Sequence, residues 1–164
     1  MKEIFVRLDR CMGCRSCQLA CATEHSTAKT LFGALAEAPR PRYRLYVERG
    51  DGRNVPLTCR HCDPAPCLEA CIAGAISRDD RGMVVHREDR CVGCWTCLMV
   101  CPYGVIGRKQ EQRIAVKCDR CPDRDVPACV SACPTKALVF AGAEEFTART
   151  RKVQAGVVAS AVVE

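Results

Sequence analysis

Aromatic residues and long apolar runs are scarce in this chain of 164 residues. It has one tryptophan, three tyrosines and four phenylalanines, and 16 of its apolar residues are cysteines. The most apolar stretch, residues 155–163, is much shorter than the roughly 20 residues that span a bilayer. We therefore expect no membrane span, and a thin apolar core that bound metal helps to stabilise.

Sequence signatures of other ligands and chemistries are also missing. The chain has no Gly-x-Gly-x-x-Gly segment, no phosphate-binding P-loop and no carboxylate pair in a catalytic context. Its basic residues are scattered among acidic ones and are not gathered with aromatics into a stripe. We therefore expect a non-catalytic protein without a nucleic-acid partner.

Cysteine, by contrast, is abundant and regularly spaced. The sixteen cysteines form four groups with the pattern Cys-x2-Cys, a short gap and Cys-x3-Cys, and none is left over. Groups one to four are Cys11, Cys14, Cys17 and Cys21; Cys59, Cys62, Cys67 and Cys71; Cys91, Cys94, Cys97 and Cys101; and Cys118, Cys121, Cys129 and Cys133.

This spacing predicts iron–sulfur ligation. One tight loop can place three thiolates around three corners of a [4Fe-4S] cube, while a helix carries the fourth cysteine of the group to a neighbouring cube. A disulfide framework and structural zinc are the alternatives. The segment MKEIFVRLDR does not resemble a secretory signal, and tetrahedral zinc has no use for a third and fourth cysteine at these offsets. We expect four cubes and, because such cubes are sensitive to oxidation, a cytoplasmic location.

The formal charge of +6 counts every cysteine as a neutral thiol. Since an oxidised cube with four thiolates carries about −2, the cluster-loaded chain would be weakly acidic. Basic residues near the cysteines can stabilise an anionic cluster or can simply be solvated. The sequence leaves both interpretations open for Arg10, Arg15, Arg60, Arg90, Lys117 and Arg120.

Local patterns predict an α+β fold of short strands and small helices. A helix is expected at residues 17–24, and helix formers begin the segment from residue 143. Strands are expected at residues 4–8, 114–116 and 137–140, and hairpins at residues 43–47 with 53–57 and at residues 76–78 with 83–86.

The four groups can be paired into ferredoxin-like units in two ways. Sequential pairing joins groups one with two and three with four, whereas nested pairing joins two with three and one with four. The 19 residues between groups two and three are almost entirely a hairpin, as between the halves of a ferredoxin unit, but the 37 residues between groups one and two are not. Spacing therefore favours nesting.

The cysteine segments resemble a known family. The matching segments are CRHCDPAPCLEAC at residues 59–71, CVGCWTCLMVCPYG at 91–104 and KCDRCPDRDVPACVSACPTKAL at 117–138. They are similar to four-cluster electron-transfer subunits typified by the dimethyl sulfoxide reductase iron–sulfur subunit. Related chains serve carbon monoxide dehydrogenase, hydrogenase, formate dehydrogenase and tungsten aldehyde oxidoreductase. The prolines that often follow the last cysteine are missing after Cys21 and Cys71.

The resemblance implies nested units and a ligand set for each cube. Residues 1–50 with 111–142 would form an outer unit, residues 51–110 an inserted inner unit, and residues 143–164 a tail. The implied ligands are Cys11, Cys14, Cys17 and Cys133 for cluster 1; Cys59, Cys62, Cys67 and Cys101 for cluster 2; Cys91, Cys94, Cys97 and Cys71 for cluster 3; and Cys118, Cys121, Cys129 and Cys21 for cluster 4.

Other residues near the cysteines have simpler interpretations. His61 is expected to support a cluster by packing or a hydrogen bond, since its cube already has four thiolates. Trp95 could shield a cube from water or simply fill the core. Gly13 and Gly93 let backbone N–H groups approach cluster sulfur.

The function expected is an electron-transfer subunit between a catalytic subunit and a second redox partner such as a flavoprotein or ferredoxin. The resemblance points to a molybdenum or tungsten enzyme, carbon monoxide dehydrogenase or hydrogenase as the catalytic partner. A freely diffusing polyferredoxin and a cluster-carrier protein are the alternatives. Residues 153–163 either fold back on the chain, stay disordered, or dock on another subunit or a second copy, which could build a filament.

Overall fold

The computed structural model describes residues 2–161 and combines short antiparallel strands with small helices. The strands are β1 Lys2–Val6, β2 Tyr46–Gly50, β3 Arg53–Leu57, β4 Ile76–Arg78, β5 Val84–His86, β6 Gly107–Lys109, β7 Ile114–Val116 and β8 Leu138–Gly142. The helices are α1 Ser16–Glu24, α2 Leu31–Ala36, α3 Pro66–Glu69, α4 Thr96–Met99, α5 Ala128–Ser131 and α6 Ala143–Ala161. The α+β class expected from the sequence is confirmed.

The two ends of the cysteine-bearing region meet in one sheet. Strand β1 pairs antiparallel with β8, in the register Ile4 opposite Phe140, and helix α1 contacts α5. A buried cluster lies beneath this sheet and contains Ile4, Leu45, Val47 and Leu138 together with cysteines of groups one and four. Apolar burial therefore holds the first and last cysteine groups together.

The middle of the chain forms two further hairpins around a second core. Strand β4 pairs with β5 and β6 pairs with β7, and helix α3 contacts α4. This core contains Ile76, Val84, Ile106 and Ala115, with cysteines of groups two and three packed against it. Hairpin β2–β3 adds Val47 to the first core.

Several boundaries differ from the expected ones. The first strand is Lys2–Val6, and Leu8, expected inside it, begins a 3-10 turn at Leu8–Arg10. Strand β2 begins at Tyr46 instead of residue 43. Asp51 and Gly52 both adopt positive φ and form the turn that sets the register, and in this register β2 starts opposite the last residue of β3. Strand β6 and helix α2 were not expected.

Helix α6 follows β8 directly and covers the β1–β8 sheet with its first turns. The Phe146 ring stacks on Phe5 with centroids 4.3 Å apart, and the Arg7 guanidinium lies over the same ring. Val153, Val157 and Val158 farther along the helix are exposed. The docking role of residues 153–163 stays a prediction, and residues 162 and 163 lie outside the described residues. None of the helices within residues 2–161 has both the length and the apolar character to cross a membrane.

Candidate iron–sulfur centres

Three cavities are each lined by four cysteines. Each combines three cysteines of one sequence group with one from a different group. We call these sets I, II and III: set I is Cys11, Cys14, Cys17 and Cys133; set II is Cys59, Cys62, Cys67 and Cys101; set III is Cys71, Cys91, Cys94 and Cys97.

The remaining four cysteines also lie near one another. We call Cys21, Cys118, Cys121 and Cys129 set IV. Burial, and then the neighbouring Cys118, raises the pKa of Cys21 above its usual range. Burial likewise raises the pKa of Cys129, with further contributions from the other three members of set IV.

The four Cys-x2-Cys loops have one backbone feature in common, a left-handed residue. The residue just before the second cysteine has positive φ in all four groups: Gly13 at 75°, His61 at 49°, Gly93 at 67° and Arg120 at 64°. A left-handed residue at this position turns the chain so that both cysteines of the Cys-x2-Cys pair face one cavity. Glycine adopts this conformation without strain, whereas His61 and Arg120 require compensating contacts.

The two glycines have different neighbours. A Cβ atom on Gly93 would lie 2.3 Å from the carbonyl oxygen of Arg113, which belongs to the backbone. A Cβ atom on Gly13 would lie 2.7 Å from Oδ1 of Asn54, which is the end of a side chain. Close packing therefore excludes a side chain at Gly93, where backbone is in the way, and disfavours one less strictly at Gly13, where the Asn54 side chain can move.

Exposure differs among the cysteines. Cys14 and Cys94 are exposed, whereas Cys17 and Cys97 are buried. Burial raises the pKa of both the Cys17 and the Cys97 thiol to about 11. A metal bound by these two thiols would have to displace their protons, and the metal–thiolate bonds would supply the free energy.

The two exposed cysteines accept similar hydrogen bonds. The Ser16 hydroxyl donates to Cys14 Sγ and the Thr96 hydroxyl donates to Cys94 Sγ, each at 3.4 Å. The side-chain hydrogen bond is the main reason that the pKa of each exposed thiol is lowered. Both thiolates are therefore stabilised at the protein surface.

Set II is bordered by a buried polar network around the backbone of Val84. His61 Nδ1 lies 3.1 Å from both the nitrogen and the carbonyl oxygen of Val84, and Lys117 Nζ donates to the same carbonyl. Because the Val84 N–H can only donate, Nδ1 is assigned as its acceptor and the proton of the neutral His61 ring is assigned to Nε2. Burial, and then the charge of Lys117, lowers the pKa of His61 to about 3. His61 is therefore neutral.

A second network joins helix α1 to the loop of group four. His25 Nδ1 donates to the Cys21 carbonyl at 2.7 Å, and His25 Nε2 lies 3.1 Å from Oδ1 of Asp119. Arg44 donates to Asp119 at 2.6 Å. Burial acts to raise the pKa of Asp119, but these contacts outweigh it and lower the pKa. Although His25, Asp119 and Cys121 resemble a metal-ligand trio, Arg44 already pairs with the carboxylate and Cys121 belongs to set IV.

The donor chemistry of the cavities fits iron–sulfur clusters. Four thiols converge on each cavity, and soft thiolate ligands favour such clusters over hard cations. His61 lines the set II cavity and His86 lines the set III cavity. The Nε2 atom of each ring is buried and has no hydrogen-bond partner among the described residues. Inorganic sulfide is an acceptor that such a donor could meet.

The fold and the cysteine-lined cavities thus define a small iron–sulfur protein of the ferredoxin type. Residues 51–143 match the family described as "4Fe-4S dicluster domain", and the chain belongs to that family. The resemblance inferred from the cysteine segments is confirmed.

Curated relatives are iron–sulfur and electron-transport proteins. An "Iron-sulfur protein" of Rhodospirillum rubrum is 37% identical, over 93% of this chain and 88% of its own length. "Electron transport protein HydN" of Escherichia coli strain K12 is 36% identical, over 83% of this chain and 85% of its own. "Thiosulfate reductase electron transfer subunit PhsB" of Salmonella typhi is 33% identical, over 83% and 73%. The chain is therefore an iron–sulfur protein of electron transport.

Some site residues were missed by sequence reasoning. The bonds from Ser16 and Thr96 could have been found, because each hydroxyl lies two residues after a second cysteine in groups one and three. His86 carries no such signal, since it approaches set III only through the β4–β5 hairpin. Trp95, left open by the sequence, lines the set III cavity and has Arg108 over its ring.

Proposed function

We propose that the chain carries four [4Fe-4S] clusters, one on each of sets I to IV, and relays electrons without catalysing a reaction itself. The observation that supports this most directly is the mixed origin of the cysteines in each cavity. It agrees with nested units, in which residues 1–50 and 111–142 surround an inserted unit at residues 51–110. Each cluster would supply a one-electron couple.

Contacts between the sets support a linear order I–IV–II–III. Cys17 and Cys133 of set I lie in one buried cluster with Cys21 and Cys129 of set IV. Burial, and then Cys59 of set II, raises the pKa of Cys118 in set IV to about 12. Cys67 of set II similarly influences Cys97 of set III. The protein would thus hold its clusters in a row.

The two end sets are the ones with an exposed cysteine. Cys14 of set I has Met12 beside it with 64% of its surface exposed, and Cys94 of set III has Val92 at 61%. We infer that these two surfaces receive the redox partners, a catalytic oxidoreductase subunit at one end and a flavoprotein or ferredoxin at the other. The relative named as an electron transfer subunit of thiosulfate reductase supports a catalytic partner.

Metal analysis tests the cluster count. Protein purified without oxygen should contain about sixteen iron and sixteen sulfide per chain. The variants Cys14→Ser, Cys21→Ser and Cys121→Ser then test the sets by electron paramagnetic resonance (EPR). Cys21→Ser should alter the same signal as Cys121→Ser and leave the signal altered by Cys14→Ser intact. About eight iron, or a Cys21→Ser spectrum that follows Cys14→Ser, would overturn the proposal.

Isolation of the native complex separates a subunit from a freely diffusing carrier. A freely diffusing electron carrier is the second candidate function, because the relative HydN is named only as an electron transport protein. A subunit should co-purify with a larger oxidoreductase chain at constant stoichiometry through gel filtration. A carrier should elute alone and be reduced by several enzymes.

A further inference from the structure

We propose that the Lys117 ammonium raises the electron affinity of the set II cluster and so makes set II the site where an electron received from set IV comes to rest. This inference rests on the proposed four-cluster arrangement. It assigns a role to one of six basic residues near the cysteines for which the sequence allowed either solvation or cluster stabilisation.

Lys117 is buried, with 3% of its surface exposed, although it is a lysine. Its Nζ donates to Cys59 Sγ at 3.2 Å, to the Val84 carbonyl, and to the Cys118 carbonyl at 3.4 Å. An ammonium has three N–H donors and no acceptor, so three acceptors satisfy it completely. The three acceptors around Nζ therefore match the three donors of a lysine ammonium.

The ammonium lies on the path between two cysteine sets. Lys117 directly precedes Cys118 of set IV, and its Nζ contacts the sulfur of Cys59 in set II. Its hydrogen bond to Cys118 of set IV goes to the backbone carbonyl, whereas its hydrogen bond to Cys59 of set II goes directly to the sulfur. Its charge should therefore favour electrons on set II more strongly than on set IV.

The direction of the effect follows from charge balance. When one electron passes from set IV to set II, set IV loses one negative charge and set II gains one. A buried positive charge stabilises the added negative charge, and this attraction is weakly screened because Lys117 is shielded from water. Removing the charge should lower the equilibrium constant for reduction of set II by about tenfold, which is 59 mV for a one-electron couple.

Other basic side chains near the cysteines make different contacts. The Arg60 guanidinium lies over the Tyr103 ring, and Arg120 Nη1 donates to the Lys2 carbonyl at 2.8 Å. Arg10 is paired with Asp9, and its side chain is 46% exposed. Of these four side chains, Lys117 alone donates to a cysteine sulfur.

The test is a reductive titration of intact protein followed by EPR, with the set II signal assigned beforehand by Cys62→Ser. Lys117→Met and Lys117→Gln remove the charge, and Gln keeps a donor. Lys117→Arg keeps the charge. Lys152→Met removes an exposed charge on α6 as the matched control. We expect the set II potential to fall by about 59 mV in the Met and Gln variants. It should be restored in Arg and unchanged in Lys152→Met.

Several outcomes would overturn the inference. Unchanged set II potentials in the Met and Gln variants would show that the charge does not tune the cluster. An equal fall in Lys117→Arg would assign the effect to packing, and loss of all clusters in every Lys117 variant, but not in Lys152→Met, would assign Lys117 to folding. Failure of the four-cluster proposal is seen separately, as low iron and sulfide in the wild-type protein.

Discussion

Each of the four Cys-x2-Cys loops has a left-handed residue before its second cysteine, but the loops divide into two kinds. The glycine loops, residues 11–14 and 91–94, have glycine before the second cysteine, and that cysteine is exposed. The buried loops, residues 59–62 and 118–121, have His61 and Arg120 there, both buried. The same left-handed conformation thus occurs with close packing in the glycine loops and with a buried polar contact in the buried loops.

The difference shows how one repeated motif acquires two roles. In the glycine loops the missing side chain leaves the second cysteine near the surface, where partners can approach. In the buried loops the side chains reach inward, since His61 accepts from Val84 and Arg120 donates to Lys2. Each buried loop therefore contacts a strand that is distant in sequence, β5 for His61 and β1 for Arg120, at the cost of left-handed strain in a residue with a Cβ.

The largest effect is expected from Gly93→Ala. The new Cβ meets a backbone carbonyl that cannot move aside, and φ is positive, so we expect a loss of about 3 kcal/mol in apparent stability. Gly13→Ala meets a movable Asn54 side chain and should cost about 2 kcal/mol. Guanidinium unfolding without oxygen, with iron content measured in parallel, checks both.

Gly74 provides the matched control for these variants. It also has positive φ, but a Cβ there would have no atom within 4 Å. Gly74→Ala should therefore show the conformational cost alone, about 1 kcal/mol. Equal losses in all three variants would mean that close packing does not distinguish the glycine loops.

An intermediate effect is expected when the left-handed residue of a buried loop is replaced by glycine, as found in the glycine loops. His61→Gly relieves left-handed strain worth about 1 kcal/mol but leaves the buried Val84 N–H without its acceptor and opens a cavity. We expect a net loss of about 2 kcal/mol, measured by the same unfolding experiment. A variant as stable as wild type would show that the His61 contact is dispensable.

The smallest effect is expected from removing the hydroxyls that donate to the exposed cysteines. Thr96→Ala and Ser16→Ala each remove one solvent-accessible hydrogen bond to a cysteine sulfur that is a proposed cluster ligand. Such a bond stabilises the more negative, reduced cluster, so each variant should lower the equilibrium constant for reduction of its own set by about twofold. Potentiometric titration measures this, with set II as the internal control. A shift of set II in either variant would contradict the assignment.

Sequence reasoning succeeded where the signal is local. The cysteine groups, the turn at residues 50–52 and the hairpin at residues 76–86 are contained in short segments, and the corresponding loops and hairpins are present. Strand β6, with sequence GRK, has no pattern of its own and is defined by its pairing with β7. Helix α2 spans only Leu31–Ala36 and depends on the Thr30 hydroxyl, which accepts from the Gly33 N–H.

The site was predicted less completely than the fold, because its supporting contacts join distant parts of the chain. Lys117 and Cys59 are 58 residues apart, and His25 and Asp119 are 94 apart. Neither pair has a sequence spacing that signals the contact. The cysteines themselves could be identified because their spacing repeats, whereas each supporting residue occurs once.

The pairing of β1 with β8 has a consequence for biosynthesis. A ribosome that adds about 5–20 residues per second must release residue 142 before this sheet can form, although β1 is made first. The hairpins β4–β5 and β6–β7 are complete by residue 116 and need nothing from the ends. The middle of the nascent chain can therefore fold while Cys11, Cys14 and Cys17 are still separated from Cys133. In the proposed four-cluster arrangement, iron delivery during translation should then begin in the middle and finish at the ends.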